Sequence, residues 1–231
     1  MQKYLELNQS IYDLLAHEYQ KKVAKKNSYD QYVMESISHM LTKQQDIRKK
    51  LLVNKKINIL ELGCGVGALL KTFQAYSTIQ TYAIDFSWQM VEFAKKNNPD
   101  AIIKKANILD IDSINNVFGC ELEGKIDILI MSAFIHCFSV EDAKSIMDRI
   151  KNWISPDSII YLDTTDEKEC LDNTMFFKLL KNDMRLRYYR TLWTEETFNE
   201  FIEKCGYEIL EQNICQDNLE RKWIRTIIKR T

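Results

Sequence analysis

The spacing of apolar residues along the chain changes near residue 56. Before that point the spacing is helical, with one apolar stripe running from Ile11 to Val23 and a second that predicts a helix over 30–50. After it, short apolar runs alternate with helical segments. Alternation of this kind predicts a parallel sheet with helices on both faces.

The alternating region is predicted to contain five strands and the helices that connect them. The strands are expected at 57–62, 79–85, 101–105, 126–132 and 158–164, and the helices at 66–75, 87–97, 113–119 and 140–153. A further helix is expected over 168–182. The last helix, over 194–205, begins at the capping residue Thr194 and ends before Gly206. Strands over 207–215 and 222–229 are expected to form an antiparallel hairpin at the edge of the sheet.

Composition narrows the class of protein. The 231 residues are 45% hydrophobic and 28% charged, with a net charge of −1, and the pI is about 6.3. This balance argues against a nucleic-acid partner, and the longest apolar runs are too short to span a membrane. The six cysteines contain no C-x-x-C pair, which favours reduced thiols in the cytoplasm and argues against a zinc site.

The segment "ILELGCGVGAL" at 59–69 is the strongest local signal. The chain has only 6 glycines, and Gly63, Gly65 and Gly67 fall within five positions of one another. A strand that ends in a glycine-rich turn and opens a helix brings backbone N–H groups close to a ligand. The turn lacks the G-K-S/T sequence of a phosphate-binding P-loop.

The residues of this turn fit two cofactors. Gly63-x-Gly65-x-x-Ala68, with Asp85 22 residues after Gly63, satisfies the dinucleotide fingerprint, so an NAD-dependent oxidoreductase is one interpretation. The absence of Lys and Arg from 57–70 favours a ligand that has no phosphate, such as S-adenosylmethionine.

Six segments in order resemble the class I S-adenosylmethionine-dependent methyltransferases, over most of the chain. Glu61-Leu62-Gly63-Cys64-Gly65-Val66-Gly67 is similar to that family's E/D-x-G-x-G-x-G motif. The next four are "YAIDFSWQMVEFAKK" at 82–96, "IIKKANILDI" at 102–111, "IDILIMSAFIHCFS" at 126–139 and "IKNWISPDSIIYLDT" at 150–164. The sixth, "WTEETFNEFIEKCGYEILE" at 193–211, is similar to the family's last helix and sixth strand.

The resemblance implies a Rossmann-like, seven-stranded, mostly parallel sheet with an antiparallel last strand and an N-terminal helical lid. It implies a single domain, with the lid at 1–55, a cofactor-binding core at 56–165, an acceptor-side insert at 166–193, and the last helix and edge strands at 194–231.

The resemblance also implies residues that bind S-adenosylmethionine. Asp85 would hold the two ribose hydroxyls, and Asn107, where the family usually has Asp, would meet the adenine amine. Met90 and Ile108 would pack against the adenine. The full set of cofactor-binding candidates is Tyr19, Glu61, Gly63, Gly65, Asp85, Phe86, Met90, Asn107, Ile108 and Ser132.

The acceptor is expected at the carboxyl ends of the fourth and fifth strands. His136 lies in the loop after the fourth strand and is the candidate general base, with packing as its other interpretation. The candidates for acceptor binding are Tyr12, Phe138, Asp163, Tyr188, Tyr189 and Trp193. No metal is expected, because the position where metal-dependent O-methyltransferases have a carboxylate reads "MSAF" here.

The predicted reaction is methyl transfer from S-adenosylmethionine to a nitrogen or oxygen atom of a small molecule. An RNA or protein methyltransferase and an NAD-dependent oxidoreductase are the alternatives. The sequence leaves the acceptor and the oligomeric state undetermined.

Overall fold

The computed structural model describes residues 3–24, 38, 55–110, 118, 122–167, 171–179, 185–217 and 220–231. The helices are α1 (Lys3–Ala24), α2 (Leu70–Phe73), α3 (Trp88–Asn97), α4 (Val140–Ile150) and α5 (Glu195–Lys204), with a 3-10 turn at Ile135–Cys137. The strands are β1 (Ile57–Leu62), β2 (Ile79–Asp85), β3 (Ile102–Lys105), β4 (Ile126–Met131), β5 (Ile154–Thr165), β6 (Leu171–Leu179), β7 (Arg185–Leu192), β8 (Tyr207–Gln216) and β9 (Lys222–Arg230).

The main sheet has seven strands in the order β3-β2-β1-β4-β5-β9-β8. Strands β1 to β5 are parallel, whereas β9 pairs antiparallel with both β5 and β8. This arrangement confirms the Rossmann-like fold and the antiparallel last strand. The chain order reverses between β1 and β4, so the carboxyl ends of these two strands flank the crevice in which open α/β sheets bind ligands.

Burial follows from the parallel arrangement of the central strands. Every residue of β4 is buried, as are five of the six residues of β1, because helices cover both faces of these strands. Glu61, near the end of β1, pairs with Ala83 of β2 and Ile130 of β4. This register places the glycine turn directly beside the end of β2.

The prediction of a helix over 168–182 is wrong. This segment contains β6, which pairs antiparallel with β7 in a separate two-stranded sheet. A short apolar run such as "MFFKLL" fits a helix or a strand by period alone. Its pairing with "RLRYYRTL", in which Phe176 lies opposite Tyr188, satisfies the backbone groups of both segments, and aromatic residues favour strands.

Other differences are confined to the ends of elements. The helix expected over 66–75 is shortened to α2, because the glycine turn extends through Gly67, which has a φ of +74°. β5 begins at Ile154, where it pairs with Ile126, so α4 ends earlier than predicted. The helices predicted over 30–50 and 113–119 lie outside the described residues, except for Ser38 and Phe118, which are both helical.

Among the helices that the structure describes, none combines the length and the apolar composition needed to cross a membrane.

Candidate cofactor and acceptor site

The three glycines of the turn differ in what surrounds them. All have positive φ, at +71° for Gly63, +53° for Gly65 and +74° for Gly67. A Cβ on Gly63 would lie 2.3 Å from the Phe134 ring, and one on Gly67 would lie 2.3 Å from the Asn98 amide. A Cβ on Gly65 would meet no atom within 4 Å. Gly65 is therefore the position at which the turn faces open space and leaves room for a ligand.

The carboxylate of Asp85 is fixed beside this open face. Its Oδ2 atom accepts a hydrogen bond from Gly65 N–H at 2.8 Å, and its Oδ1 atom accepts one from Ser87 N–H at 2.9 Å. Burial raises the pKa of Asp85 to about 6, the two backbone hydrogen bonds oppose this shift, and the charge of Asp13 adds to it. A carboxylate accepts about four hydrogen bonds, so Asp85 retains acceptor capacity for ligand hydroxyls.

The residues that follow β3 lie next to Asp85. Ala106 N–H donates to the Asp85 carbonyl at 3.0 Å, which brings Asn107 to the same edge of the sheet. The Asn107 side-chain oxygen accepts the Leu109 N–H at 3.1 Å. Ile108 is buried in the main hydrophobic core. The structure thus places Asn107 just after β3 and near Asp85, and its contact with the adenine amine stays a prediction.

Helix α1 lies over this edge and is held by polar side chains. Gln9 Nε2 donates to the Phe86 carbonyl at 3.2 Å, and the Ser87 hydroxyl donates to the Asp13 carboxylate. At the end of α1, Gln20 exchanges hydrogen bonds with Asn97, whose Nδ2 atom also donates to the Val66 carbonyl at 2.8 Å. These bonds tie α1 to the glycine turn and to α3.

The apolar side of α1 supplies two tyrosines, the cofactor candidate Tyr19 and the acceptor candidate Tyr12. Tyr12 and Tyr19 pack with Ala16, Val66 and Met90 in one cluster. Tyr12 Oη lies 3.3 Å from Cys137 Sγ, in the turn after β4. Burial raises the pKa of both tyrosines, so both are neutral near pH 7.

The end of β4 is braced by Asp163 of β5. Its carboxylate accepts hydrogen bonds from Ser132 Oγ at 2.9 Å, Ala133 N–H at 2.6 Å and Tyr161 Oη at 2.7 Å. Ala133 has a φ of +49°, a conformation that costs energy for a residue with a Cβ. These bonds hold the strained turn in place, and they engage both oxygens of Asp163 and the hydroxyl of Ser132.

Glu61 is almost fully buried at the end of β1, and its charge helps to raise the pKa of the neighbouring Cys64, although burial is the main cause of that shift.

His136 lies directly after this turn, and only 4% of its surface is exposed. Its Nδ1 atom is 3.4 Å from Thr164 Oγ1, and its ring centre is 6.3 Å from that of Trp223. Burial lowers the pKa of His136 well below its usual value, and the positive charges of Arg190 and Arg221 lower it further. The imidazole is therefore neutral at pH 7.

The aromatic acceptor candidates separate into two groups. Tyr188 packs with Ile11, Leu15 and Tyr19 beside α1. Trp193 instead packs against Phe198 and Phe201 of α5 in the main core, and it is not part of the clusters that contain Tyr12, Tyr19 and Tyr188.

Tyr189 and Phe138 are buried structural neighbours. The Tyr189 ring lies 4.2 Å from that of Tyr4, and both Tyr189 N–H and its carbonyl bond to Asn8. Phe138 packs its ring 4.9 Å from Phe134, and its carbonyl accepts the Thr191 hydroxyl.

Several residues of the site were not foreseen from sequence. Phe134 closes Gly63, Cys137 contacts Tyr12, and Asn8, Gln9 and Asp13 fasten α1. For α1, the sequence did offer a signal: Asn8, Gln9 and Asp13 are polar residues beside the apolar stripe of the N-terminal helix. Phe134 and Cys137 have no signal of their own, because an aromatic residue or a lone cysteine in a loop fits many environments.

The fold and the site together define a cofactor-binding domain of the methyltransferase type. Residues 60–160 match the family model described as "Methyltransferase domain". The match runs from within β1 to within β5 and includes the glycine turn, Asp85 and Asn107. The family match and the strand order together support a class I S-adenosylmethionine-dependent methyltransferase.

Individual relatives are distant. A malonyl-[acyl-carrier protein] O-methyltransferase of Bacillus anthracis is 25% identical over 169 residues, which is 69% of this chain and 56% of the relative. A ribosomal protein L11 methyltransferase of Thermotoga petrophila is 24% identical over 199 residues, which is 84% of this chain and 58% of the relative. The chain thus spans a little over half the length of these curated relatives.

Among solved structures, the 1,6-didemethyltoxoflavin-N1-methyltransferase of Burkholderia thailandensis is similar in fold. The TM-score is 0.65 at 12% identity, and the similarity covers 99% of this chain and 89% of that one. That crystal structure contains 1,6-didemethyltoxoflavin and S-adenosylhomocysteine.

Proposed function

We propose that the protein transfers a methyl group from S-adenosylmethionine to a nitrogen or oxygen atom of a small-molecule acceptor. One observation supports this function above the others: the open face of Gly65 lies beside the fixed carboxylate of Asp85 at the switch point of the sheet. The family match favours this reaction over that of an NAD-dependent oxidoreductase.

The residues present suit the proposed cofactor. Asp85 would accept hydrogen bonds from the ribose hydroxyls, and Asn107 would contact the adenine edge. Gly65 would leave room for the methionine part of the cofactor. Bound S-adenosylmethionine supplies a methyl group on a sulfonium, whose thioether leaves without charge. The protein's main task is then to align the acceptor with that methyl group, and proximity alone contributes on the order of 7–11 kcal/mol.

A small acceptor is favoured by the position of α1. This helix is fastened over the site by Gln9, Asp13 and Gln20, and it places Tyr12 and Tyr19 against the glycine turn. A cover of this kind excludes water from the transfer step and encloses a pocket, whereas a polymer needs an open groove.

A protein acceptor is the second candidate, because one similar protein is named as a methyltransferase of ribosomal protein L11. The two candidates differ in what must bind beyond the cofactor. A small acceptor needs only the space under α1, whereas a protein acceptor needs α1 to move.

Asp163, Ser132 and His136 are better explained as residues that position the site. The bonds of Asp163 hold the turn after β4, and a general base must reach a proton on the acceptor. His136 is buried against Thr164 and Trp223, which favours its packing interpretation over catalysis.

The test is a two-stage experiment on the full chain. Calorimetry with S-adenosylmethionine, S-adenosylhomocysteine and NAD⁺ first identifies the cofactor. The protein loaded with S-adenosylmethionine is then incubated separately with a set of small amines, phenols and carboxylic acids and with ribosomal proteins, and S-adenosylhomocysteine is measured. Binding of NAD⁺ alone would overturn the cofactor proposal, and turnover only with proteins would overturn the acceptor proposal.

A further inference from the structure

Arg190 of β7 lies where α1, the 3-10 turn and the β6–β7 hairpin meet. Asn8 of α1 bonds to both the N–H and the carbonyl of its neighbour Tyr189, so α1 is fastened to β7 at this point. Side chains alternate along a strand. Tyr189 and Thr191 bond to each other on one side, which places Arg190 on the other side together with Tyr188.

The guanidinium of Arg190 has an unsatisfied donor. The residue is half-buried, and its Nε atom is buried with no hydrogen-bond partner among the residues that the structure describes. Its positive charge opposes the rise in pKa that burial causes in Tyr12, Tyr19 and Cys137, and it adds to the lowering of the His136 pKa that burial causes. All four are neutral near pH 7, so none of these four described groups balances the charge of Arg190.

A partly buried cation without an anionic partner is unfavourable until an anion binds. The location of Arg190 indicates which anion that is. Cys137 contacts Tyr12 at 3.3 Å, and its thiol also senses the charge of Asp85. The charges of Arg190 and Asp85 therefore both act on the thiol that contacts Tyr12, and Asp85 lies beside the open face of Gly65.

We propose that Arg190 binds the carboxylate of a small monocarboxylic acceptor, whose apolar body lies against Tyr12, Tyr19 and Tyr188. This inference rests on the proposed function, since it names the substrate class of the same site. A planar guanidinium matches a carboxylate through two parallel hydrogen bonds. A single charge on the acceptor is favoured because Arg221, whose charge also acts on His136, is already paired with Asp217 at 2.6 Å.

The test measures binding of small carboxylates to the protein saturated with S-adenosylhomocysteine. The probes are acetate, benzoate, phenylacetate and indole-3-acetate, each compared by ligand-observed NMR and calorimetry with its neutral amide. We expect at least one acid to bind, and its amide to bind at least tenfold more weakly.

Three variants separate the role of Arg190 from general effects. Arg190→Gln should weaken binding of the acid tenfold to a hundredfold while the affinity for S-adenosylhomocysteine stays within about twofold. Arg190→Lys, which keeps the charge but loses the planar fork, should give an intermediate loss. Arg221→Gln, which removes a nearby charge that already has a partner, should bind the acid as the natural protein does.

The possible failures are distinguishable. If the natural protein does not bind S-adenosylhomocysteine, the proposed function fails. If it does, the inference about Arg190 is overturned by any of three results: none of the acids binds, acids and amides bind equally, or Arg190→Gln binds the acid unchanged. A parallel loss of S-adenosylhomocysteine in Arg190→Gln would also overturn it, because the arginine would then hold the cofactor's own carboxylate.

Discussion

Replacing Gly65 by alanine tests whether the open face of the glycine turn is the cofactor site. The added Cβ meets no protein atom within 4 Å, but the φ of +53° is unfavourable for alanine. Two separate effects are expected. Left-handed backbone costs roughly 1–2 kcal/mol in stability, and the methyl group occupies space that the cofactor needs.

Gly124 provides a matched control. It has a φ of +61°, its added Cβ also meets nothing within 4 Å, and it lies before β4, at the opposite end of that strand from the site. Thermal midpoints change by about 2–4 °C per kcal/mol in chains of this size, so both variants should melt roughly 2–8 °C lower than the natural protein. Only Gly65→Ala should bind cofactor more weakly, because overpacking costs roughly 1–3 kcal/mol, or about fivefold to 150-fold in Kd.

The assay is calorimetric titration with S-adenosylhomocysteine, with the thermal midpoint of each variant measured by circular dichroism. Gly63→Ala extends the series, since its Cβ would lie 2.3 Å from the Phe134 ring and should lower the midpoint more than the other two changes. If Gly65→Ala binds S-adenosylhomocysteine as tightly as Gly124→Ala does, the cofactor does not lie against Gly65 and the reasoning is refuted.

Four further predictions concern two carboxylates, Asp85 and Asp163, and one histidine, His136. Because the pKa of Asp85 is about 6 without ligand, cofactor affinity should be constant above pH 7 and weaken below pH 6. Asp85→Asn should remove this pH dependence. A cofactor affinity that does not change with pH in the natural protein would contradict the prediction. The same shift makes the ligand-free fold lose stability as the pH rises from 3.8 to about 6, since the folded state retains a proton that the unfolded chain has released. Asp163→Ala should lower the free energy of unfolding by about 2–4 kcal/mol in urea titrations, because three hydrogen-bond donors lose their acceptor. A loss below about 0.5 kcal/mol would show that these hydrogen bonds do not stabilise the turn after β4. His136→Asn should lower the thermal midpoint and leave the shape of the kcat–pH profile unchanged, whereas a kcat loss of 10²-fold or more at an unchanged midpoint would identify a general base.

The sheet could be predicted from sequence because its signals are local. The run from Ile57 to Leu62, the glycine turn and Asp85 each constrain the backbone over a few residues, and their order along the chain defines a parallel arrangement. The family match and the strand order confirmed this part of the prediction. Gly63, Gly65, Asp85 and Asn107 fall at the same edge of the sheet because each lies at or just after the end of a strand.

The β6–β7 hairpin could not be predicted in this way, because it depends on pairing between two separate segments. Neither "MFFKLL" nor "RLRYYRTL" has a period that decides between helix and strand alone. The position of Trp193 could not be predicted for the same reason: it packs against α5 in the core and does not lie beside the glycine turn. Which aromatic residue faces the site depends on how the hairpin and α1 dock, and that docking is set by Asn8 and Tyr189, far apart in sequence.

The most direct test of the account is calorimetric titration of the full chain and its Asp85→Ala variant with S-adenosylhomocysteine. The account predicts micromolar binding to the natural protein and a large loss in the variant, because the ribose hydroxyls lose their acceptor. Absence of binding to the natural protein, or equal affinity in the two proteins, would contradict the assignment of the glycine turn and Asp85 as the cofactor site.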